Sequence, residues 1–273
     1  MSDLRFGCQT YTWQMSYERY RDKLDHIVGI AAQAGFVGLE PEVCMLGAYE
    51  KDPGELAALL ADRGLTLSAL TLVCDWRGPE ENEDERRLAD WTLSYLKHFP
   101  GTLLALCQMP GEDRTELRTR QDNAVSCVNA VARRAVDAGL SAAFHPNSPP
   151  GSIFRLSDDY DYLLMHLDAQ AVGFIPDIGH IAKGGMDPLA LCRTYRQSIR
   201  HVHFKDIDGN GHWTAMGKGV IDWPAIVNYL ASTQYDGWVM VEEESAEAEG
   251  RPDEVTIANG RYVRETLLPC LRG

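Results

Sequence analysis

The sequence has no long hydrophobic run, no paired-cysteine motif and no excess of positive charge. No apolar stretch approaches the roughly 18 to 20 residues that span a bilayer, so a membrane protein is not expected. The seven cysteines are scattered without a C-x-x-C pair, which disfavours a disulfide framework and a thiolate zinc site. The net charge of −14 disfavours nucleic acid as a partner, because Lys and Arg normally bind the phosphate backbone.

Three further signals are missing. There is no Gly-x-Gly-x-x-Gly motif and no P-loop, so a nucleotide site of either type has no support. Neither a Ser/Gly-rich linker nor a shift in composition divides the chain, and a single domain over residues 1–273 is expected. The opening run "MSDLRFGCQTYTW" lacks the basic and apolar regions of a secretion signal, which favours a cytoplasmic protein.

Short apolar runs alternate regularly with longer amphipathic segments. The apolar runs predict eight strands: RFGCQTY, FVGLEPE, LTLSALTLVC, TLLALCQM, LSAAFHPN, AVGFIPDIGH, IRHVHFKD and GWVMVEEE. The amphipathic segments predict eight helices: Tyr17–Ala34, Pro53–Arg63, Asp84–His98, Arg120–Ala138, Ser157–Leu167, Pro188–Gln197, Trp223–Ser232 and Glu254–Leu268. This alternation indicates an α/β protein with the (β/α)8 TIM barrel fold, and an open doubly wound sheet is the alternative.

Polar side chains gather where the predicted strands end. In a barrel of this kind the active site lies at the carboxyl ends of the strands. The residues at those ends are Glu40 and Glu42, Gln108, His145 and Asn147, Asp177 and His180, His203 and Lys205, and the glutamates at 242–244. The strand beginnings carry nothing comparable, so the carboxyl ends are the predicted site.

Strand alternation directs several of these side chains toward the barrel interior. In "RHVHFKD" the apolar Val202 and Phe204 would face the helices, which leaves His203 inside. The same parity applies to Glu40, His145 and Glu242. Buried carboxylates and imidazoles that converge are costly unless they are paired or bind a cation. Oxygen and imidazole donors without thiolates suit Mn, Co, Mg, Fe or Zn and do not choose among these metals. One divalent ion is therefore expected, and manganese is the first to consider.

Four runs together resemble the xylose-isomerase-like TIM barrels of the sugar isomerase/epimerase superfamily, and within it most nearly the inosose dehydratases and related keto-sugar lyases. The runs are PDIGHIAKGGMDP, IRHVHFKD, GKGVIDWPAIVNYL and YDGWVMVEEE. The resemblance covers most of the chain and implies metal ligands at Asp177, His203 and Glu242. At the fifth strand many epimerases and isomerases of the superfamily carry a metal-binding glutamate, whereas this chain has His145, which favours the dehydratase-like branch.

The roles of the other polar residues stay open at this stage. His145 suits both a metal ligand and a general base, and Glu40 is the second choice for the base. Lys205 would polarise a substrate oxygen, transfer a proton or form an ion pair with Glu242. His201 is expected to be a satisfied core histidine. The candidate substrate contacts are His180, Gln108, Arg155, Trp13 and Asn147.

The predicted activity is metal-dependent removal of the proton next to the carbonyl of a keto-sugar or keto-cyclitol. Loss of the β-oxygen substituent would make the protein a dehydratase or β-eliminating lyase, including one that cleaves a 3-keto-glycoside. Reprotonation of the same enediolate would make it an isomerase or epimerase. Less favoured alternatives are an apurinic-endonuclease-like phosphodiesterase and a metal-free sugar-binding subunit. The expected partner is a small carbohydrate, and association with itself or with a partner subunit stays open.

Overall fold

The computed structural model describes residues 4–271, which form two compact units. The first unit contains residues 4–68 and 201–271, and the second contains residues 69–200. In chain order the strands are β1 (Arg5–Gln9), β2 (Gly38–Glu40), β3 (Thr66–Leu67), β4 (Ala69–Cys74), β5 (Leu103–Gln108), β6 (Ser141–His145), β7 (Val172–Phe174), β8 (Val202–Phe204), β9 (Asp206–Ile207), β10 (Trp213–Thr214) and β11 (Trp238–Val241).

Helices follow most of the strands. They are α1 (Tyr11–Gln14), α2 (Tyr17–Tyr20), α3 (Leu24–Ala34), α4 (Pro53–Asp62), α5 (Glu83–Leu96), α6 (Leu117–Asp137), α7 (Ser157–His166), α8 (Ile178–Lys183), α9 (Pro188–Thr194), α10 (Trp223–Ser232), α11 (Ala246–Gly250), α12 (Pro252–Tyr262) and α13 (Leu268–Cys270). Within the described part of the chain, no helix combines the length and apolar character needed to cross a membrane.

The sheet of the first unit is parallel, with the strand order β3-β2-β1-β11-β8. Gly7 pairs with both Gly38 and Met240, and Met240 pairs with His203, so these four residues share one face of the sheet. A Cβ at Gly7 would lie 2.7 Å from the sulfur of Met240. A Cβ at Gly38 would lie 2.5 Å from the ring of Trp238. The two glycines therefore make room for large side chains on the face that also carries His203.

The sheet of the second unit is parallel, with the strand order β4-β5-β6-β7. Ala105 pairs with Ala143, and both belong to a buried apolar cluster that includes Ile175. Because side chains alternate along a strand, His145 lies on the same face as Ala143. The predicted third strand, residues 65–74, is divided at Ser68: its first part, β3, belongs to the first sheet and its second part, β4, to the second sheet.

All eight predicted helical segments contain helix. Asp52, Asp187 and Asp222 cap three of these helices, because their carboxylates accept backbone N–H groups of the first turn. The predicted helix Tyr17–Ala34 is interrupted between α2 and α3.

The prediction that AVGFIPDIGH is strand throughout was wrong at its carboxyl end. There, Asp177 caps the short helix α8 by accepting the N–H of His180 at 2.8 Å. The helices α1 and α11 and the β9-β10 hairpin were not predicted.

Candidate functional site

The first unit holds a buried polar cluster, here called the Glu40 cluster, which consists of Glu40, His201, His203, Lys205 and Glu242. They stand on or directly beside β2, β8 and β11 in the chain, and none is more than 5% exposed. The Nε2 of His201 lies 2.7 Å from Oε2 of Glu40, and the Nε2 of His203 lies 3.0 and 3.1 Å from its two oxygens. One carboxylate therefore binds both histidines of the His-x-His motif.

Charge compensation controls the protonation of this cluster. Burial alone would raise the pKa of Glu40, but the charges and hydrogen bonds of His203 and His201 hold that pKa well below its ordinary value. Burial opposes the charging of His203, yet Glu40 and Glu242 overcome it and raise the pKa of this imidazole to about 10. Without a metal, His203 is therefore cationic at neutral pH and pairs with two carboxylates.

Glu242 divides its two oxygens between two cationic partners. Its Oε2 lies 3.3 Å from Nδ1 of His203, and its Oε1 lies 2.8 Å from Nζ of Lys205. Lys205 also pairs with Glu244, and its ammonium lies 5.2 Å from the ring centroid of Trp213. The ion pair between Lys205 and Glu242 that the sequence allowed is present, and it is buried.

The second unit holds another buried polar cluster, here called the Asp177 cluster, which consists of His145, Asp177 and His180. Oδ1 of Asp177 caps α8, whereas Oδ2 lies 3.4 Å from Nε2 of His145 and 3.9 Å from Nε2 of His180. Nδ1 of His180 lies 2.7 Å from the hydroxyl of Ser148. Capping thus fixes the direction in which Asp177 presents its second oxygen.

The donor atoms in both clusters fit a divalent ion in chemistry and in spacing. Glu40, His201 and His203 have donor atoms within 4.8 Å of one another, as do His145, Asp177 and His180. Metal–ligand bonds of about 2.0 to 2.2 Å place two ligands of one ion roughly 3 to 3.5 Å apart. The His145–Asp177 distance of 3.4 Å and the His203–Glu242 distance of 3.3 Å match this value.

The His201–Glu40 distance of 2.7 Å is that of a hydrogen bond. Ligand spacing within the units therefore fits the pairs His145–Asp177 and His203–Glu242. Glu40 lies at hydrogen-bond distance from both His201 and His203.

Besides His180, three predicted substrate contacts lie in the second unit. The amide of Gln108 donates to the carbonyl of Asp75 at 2.9 Å, and the amide of Asn147 donates to the carbonyl of Gln108 at 2.9 Å. Both amide groups therefore donate hydrogen bonds that hold the strand ends in place. Arg155 is partly exposed, and its Nε has no hydrogen-bond partner within residues 4–271.

Trp13 is placed in the core of the first unit. Its ring has no exposed surface, and its indole N–H donates to Asp253 at 2.7 Å. A ring that is enclosed in this way presents no face to a sugar, so the structure corrects the prediction of Trp13 as a substrate contact.

Sequence reasoning missed several polar partners. No individual role was predicted for Glu42, Glu243 or Glu244, yet Glu243 is 2% exposed and accepts a hydrogen bond from Asn259 at 2.8 Å. Burial raises the pKa of Glu42 to about 7, although the amide of Gln14 donates to it at 2.7 Å. Strand alternation continued from Glu242 would have placed the side chain of Glu244 on the same face as that of Glu242. No local sequence pattern predicts the contacts of Gln14 or Ser148.

A groove of about 600 Å³ opens at the carboxyl ends of β4 and β5. Its lining residues are Val73, Cys74, Asp75, Asn82, Glu83, Asp84, Glu85, Leu88 and Met109. This volume suits a small ligand. The groove contains no residue of the Asp177 cluster, so the candidate site is defined here by the buried donors rather than by this groove.

Parallel strands that alternate with helices and carry histidines and carboxylates at their carboxyl ends define a βα-repeat protein. The family model described as "Xylose isomerase-like TIM barrel" matches residues 28–266. The chain therefore belongs to this family, and the predicted TIM barrel fold is confirmed. The assignment of residues 1–273 to one domain stays a prediction.

Curated relatives include inosose dehydratases. That of Clostridium beijerinckii is 29% identical over 156 residues, which are 50% of this chain and 52% of the relative. That of Geobacillus kaustophilus is 25% identical over 259 residues, which are 84% of this chain and 82% of the relative. For the first of these, as for several others, the match spans about half the length of the relative.

Solved structures share the fold at lower identity. The probable 3-DHS dehydratase AsbF from Bacillus anthracis has a TM-score of 0.77 and 15% identity, and 96% of this chain and 100% of that chain are covered. The IOLI protein with a bound zinc atom has a TM-score of 0.74 and 16% identity, with 98% of each chain covered. D-psicose 3-epimerase from Clostridium cellulolyticum H10 has a TM-score of 0.75 and 18% identity, with coverages of 97% and 99%.

Proposed function

We propose that this protein is a divalent-metal-dependent enzyme that removes the proton next to the carbonyl of a keto-sugar or keto-cyclitol, with dehydration or β-elimination as the outcome. The observation that carries this proposal is the ligand-like spacing within the pairs His145–Asp177 and His203–Glu242. The similarity to an inosose dehydratase over 84% of the chain supports the dehydratase outcome.

The proposed ligands are Asp177, His203 and Glu242, with His145 as a fourth ligand or as the base. Each lies on a strand or follows one closely in the chain. The strand ends of a TIM barrel form one catalytic face, which is the reason to propose a single ion for both pairs. When bound, the ion would act as a Lewis acid toward the substrate carbonyl. Manganese is the first metal to test and zinc the second, because the solved IOLI structure holds zinc.

The remaining residues are proposed to act either in proton transfer or in substrate binding. His145 is the proposed base, because it keeps 8% of its surface exposed, whereas Glu40 keeps none. His180, oriented by Ser148, and Lys205, held by Glu242, are proposed to stabilise the oxygen that gains charge or leaves. Arg155 is the proposed substrate contact, with Gln108 and Asn147 shaping the strand ends that surround it.

Proton exchange tests this proposal directly. The metal-free protein would be incubated with a panel of keto-sugars and keto-cyclitols in deuterium oxide, with Mn, Co or Zn added singly. We expect deuterium to enter the carbon next to the carbonyl only when metal is present, and a dehydrated or cleaved product with the correct substrate. No exchange with any substrate and any metal would rule the activity out, and exchange without metal would rule out the ion.

The isomerase or epimerase outcome is the second candidate. The observation that favours it is the shared intermediate: a base such as His145 that removes a proton can also return it. Chromatography of the products separates the two outcomes, because an epimer keeps the mass of the substrate and a dehydration product loses one water. We also propose a cytoplasmic location, because cysteines scattered without a C-x-x-C pair suit a reducing compartment.

A further inference from the structure

Glu40 has a position that neither a base nor a substrate contact requires. Its carboxylate is wholly buried, and the two histidines of the His-x-His motif contact its oxygens at distances from 2.7 to 3.1 Å. A base must reach a proton on the substrate. A carboxylate whose oxygens already accept from His201 and His203 is better suited to hold those rings.

The contact also crosses the sheet of the first unit. Glu40 ends β2 and His203 lies on β8, and β1 and β11 stand between them. Three strand spacings of about 4.8 Å would separate the two backbones by roughly 14 Å in a flat sheet. The side chains nevertheless meet at 3.0 Å, so this sheet is curved and the hydrogen bond spans its concave face.

The two ring nitrogens of His203 point in different directions. Nε2 faces Glu40, and Nδ1 faces Oε2 of Glu242 at 3.3 Å, which is the spacing of two ligands on one ion. A carboxylate can bond to Nε2 only if that nitrogen carries its proton. The lone pair available for a metal would then be on Nδ1, beside Glu242.

We propose that Glu40 is a positioning residue that holds the His203 ring with Nε2–H toward itself and Nδ1 toward Glu242, and thereby prepares His203 as a ligand. This inference rests on the proposed metal-dependent function and deepens it. His201 has a smaller effect in this proposal. Its Nε2 lies 2.7 Å from Oε2 of Glu40 and helps to hold the carboxylate in place, but it does not lie between Glu40 and the pair His203–Glu242.

Zinc affinity of matched variants, measured by chelator competition, tests the proposal. Loss of an outer partner of a ligating histidine typically costs about 10- to 100-fold in metal affinity, and we expect this loss for Glu40→Gln. His201→Gln, which leaves the bond between Glu40 and His203 intact, should lose less than about threefold. Glu50→Gln is the control, because it removes an exposed carboxylate of the same unit, and its affinity should stay at the wild-type value.

Histidine side-chain NMR on the metal-free protein provides a second readout that does not depend on metal. The Nε2–H proton of His203, assigned by its absence in His203→Gln, should be protected from exchange in the wild type and in His201→Gln. It should exchange rapidly in folded Glu40→Gln. If that variant does not fold, Glu40→Asp keeps the charge but withdraws it by one methylene, and the same loss of protection is expected.

The outcomes are decisive in each case. Normal zinc affinity and a protected His203 proton in folded Glu40→Gln or Glu40→Asp would overturn the proposal. So would equal losses in His201→Gln and Glu40→Gln, because the cluster would then act only as packing. If the wild type bound no metal, the proposed function would fail, while the proton readout would still show whether Glu40 orients His203.

Discussion

The two buried clusters differ in how their charges are compensated. In the Glu40 cluster, Glu40 meets two imidazoles and Glu242 meets both His203 and the ammonium of Lys205. In the Asp177 cluster a single carboxylate oxygen faces two imidazoles at 3.4 and 3.9 Å. The first cluster is thus built from charged partners at hydrogen-bond distance, whereas the second is looser and has no lysine or arginine among its three members.

This difference indicates a division of labour within the proposed mechanism. A rigid, charge-matched cluster suits the part of a site that must be organised before a ligand arrives. A looser cluster at the start of a short helix suits side chains that must change partners during proton transfer. We therefore assign ligand positioning mainly to the Glu40 cluster and proton transfer mainly to the Asp177 cluster.

Removing the buried ammonium should have the largest effect on stability. Lys205→Met would remove the ammonium that pairs with Glu242 and Glu244, and breaking a buried ion pair on one side costs about 3 to 5 kcal/mol. Urea unfolding would measure the loss. Lys218→Met is the control, because this lysine is exposed and the change should stay within about 0.5 kcal/mol. A loss equally small for Lys205→Met would show that the cluster does not depend on charge matching.

Removing one ligand from each cluster tests whether both hold the same ion. Asp177→Asn and His203→Gln should each weaken zinc binding by more than about 100-fold, the upper range found for outer partners. Chelator competition would measure both affinities, and metal analysis would give the number of ions per chain. A loss confined to one variant would mean that only that cluster binds metal, and the proposal of a shared ion would then be wrong.

Removing the partner of His180 should have a smaller effect. Ser148→Ala deletes the hydroxyl that lies 2.7 Å from Nδ1 of His180 and frees the ring to rotate. We expect a decrease of about fivefold in the rate of proton exchange at carbon, because one hydrogen bond contributes roughly 1 kcal/mol. Ser148→Thr keeps the hydroxyl and should recover most of the rate. A Ser148→Ala rate equal to the wild type would show that His180 needs no orientation.

Period-two alternation made part of the site predictable. His203 and Glu242 stand on strands whose neighbours are apolar, so their direction follows from the neighbouring residues, and the register places His203 opposite Met240. Asp177 was also predicted, although the strand was expected to continue through residues that instead begin α8. A short apolar run suits both a buried strand and a helix, and only the cap distinguishes them.

Long-range partners were not predictable from a single sequence. Glu40 and His201 are 161 positions apart, and their hydrogen bond depends on how strongly the first sheet curves. No local pattern encodes that curvature. The placement of Trp13 failed for a similar reason: an aromatic residue beside a strand end suits either a substrate wall or the core, and Asp253, 240 positions away, decides between them.

The smallest predicted effect concerns pH and Glu42, which lies beside the Glu40 cluster without touching its histidines. Burial raises the pKa of Glu42 from its ordinary 4.5 to about 7. Below pH 4.5 the folded and unfolded chains both keep this proton, so Glu42 has no effect on stability. Between pH 4.5 and 7 the unfolded chain releases the proton while the folded chain keeps it, which favours unfolding as pH rises.

Glu42→Gln removes this ionisation and keeps a side chain that can bond to Gln14. The variant should therefore match the wild type near pH 4.5 and be more stable by about 1 kcal/mol near pH 8, a value kept small because Glu42 is partly exposed to screening solvent. Urea unfolding at a series of pH values would measure the difference. A difference that stays constant with pH would mean that Glu42 ionises normally. The region beside the Glu40 cluster would then be more accessible to water than the burial of its histidines indicates.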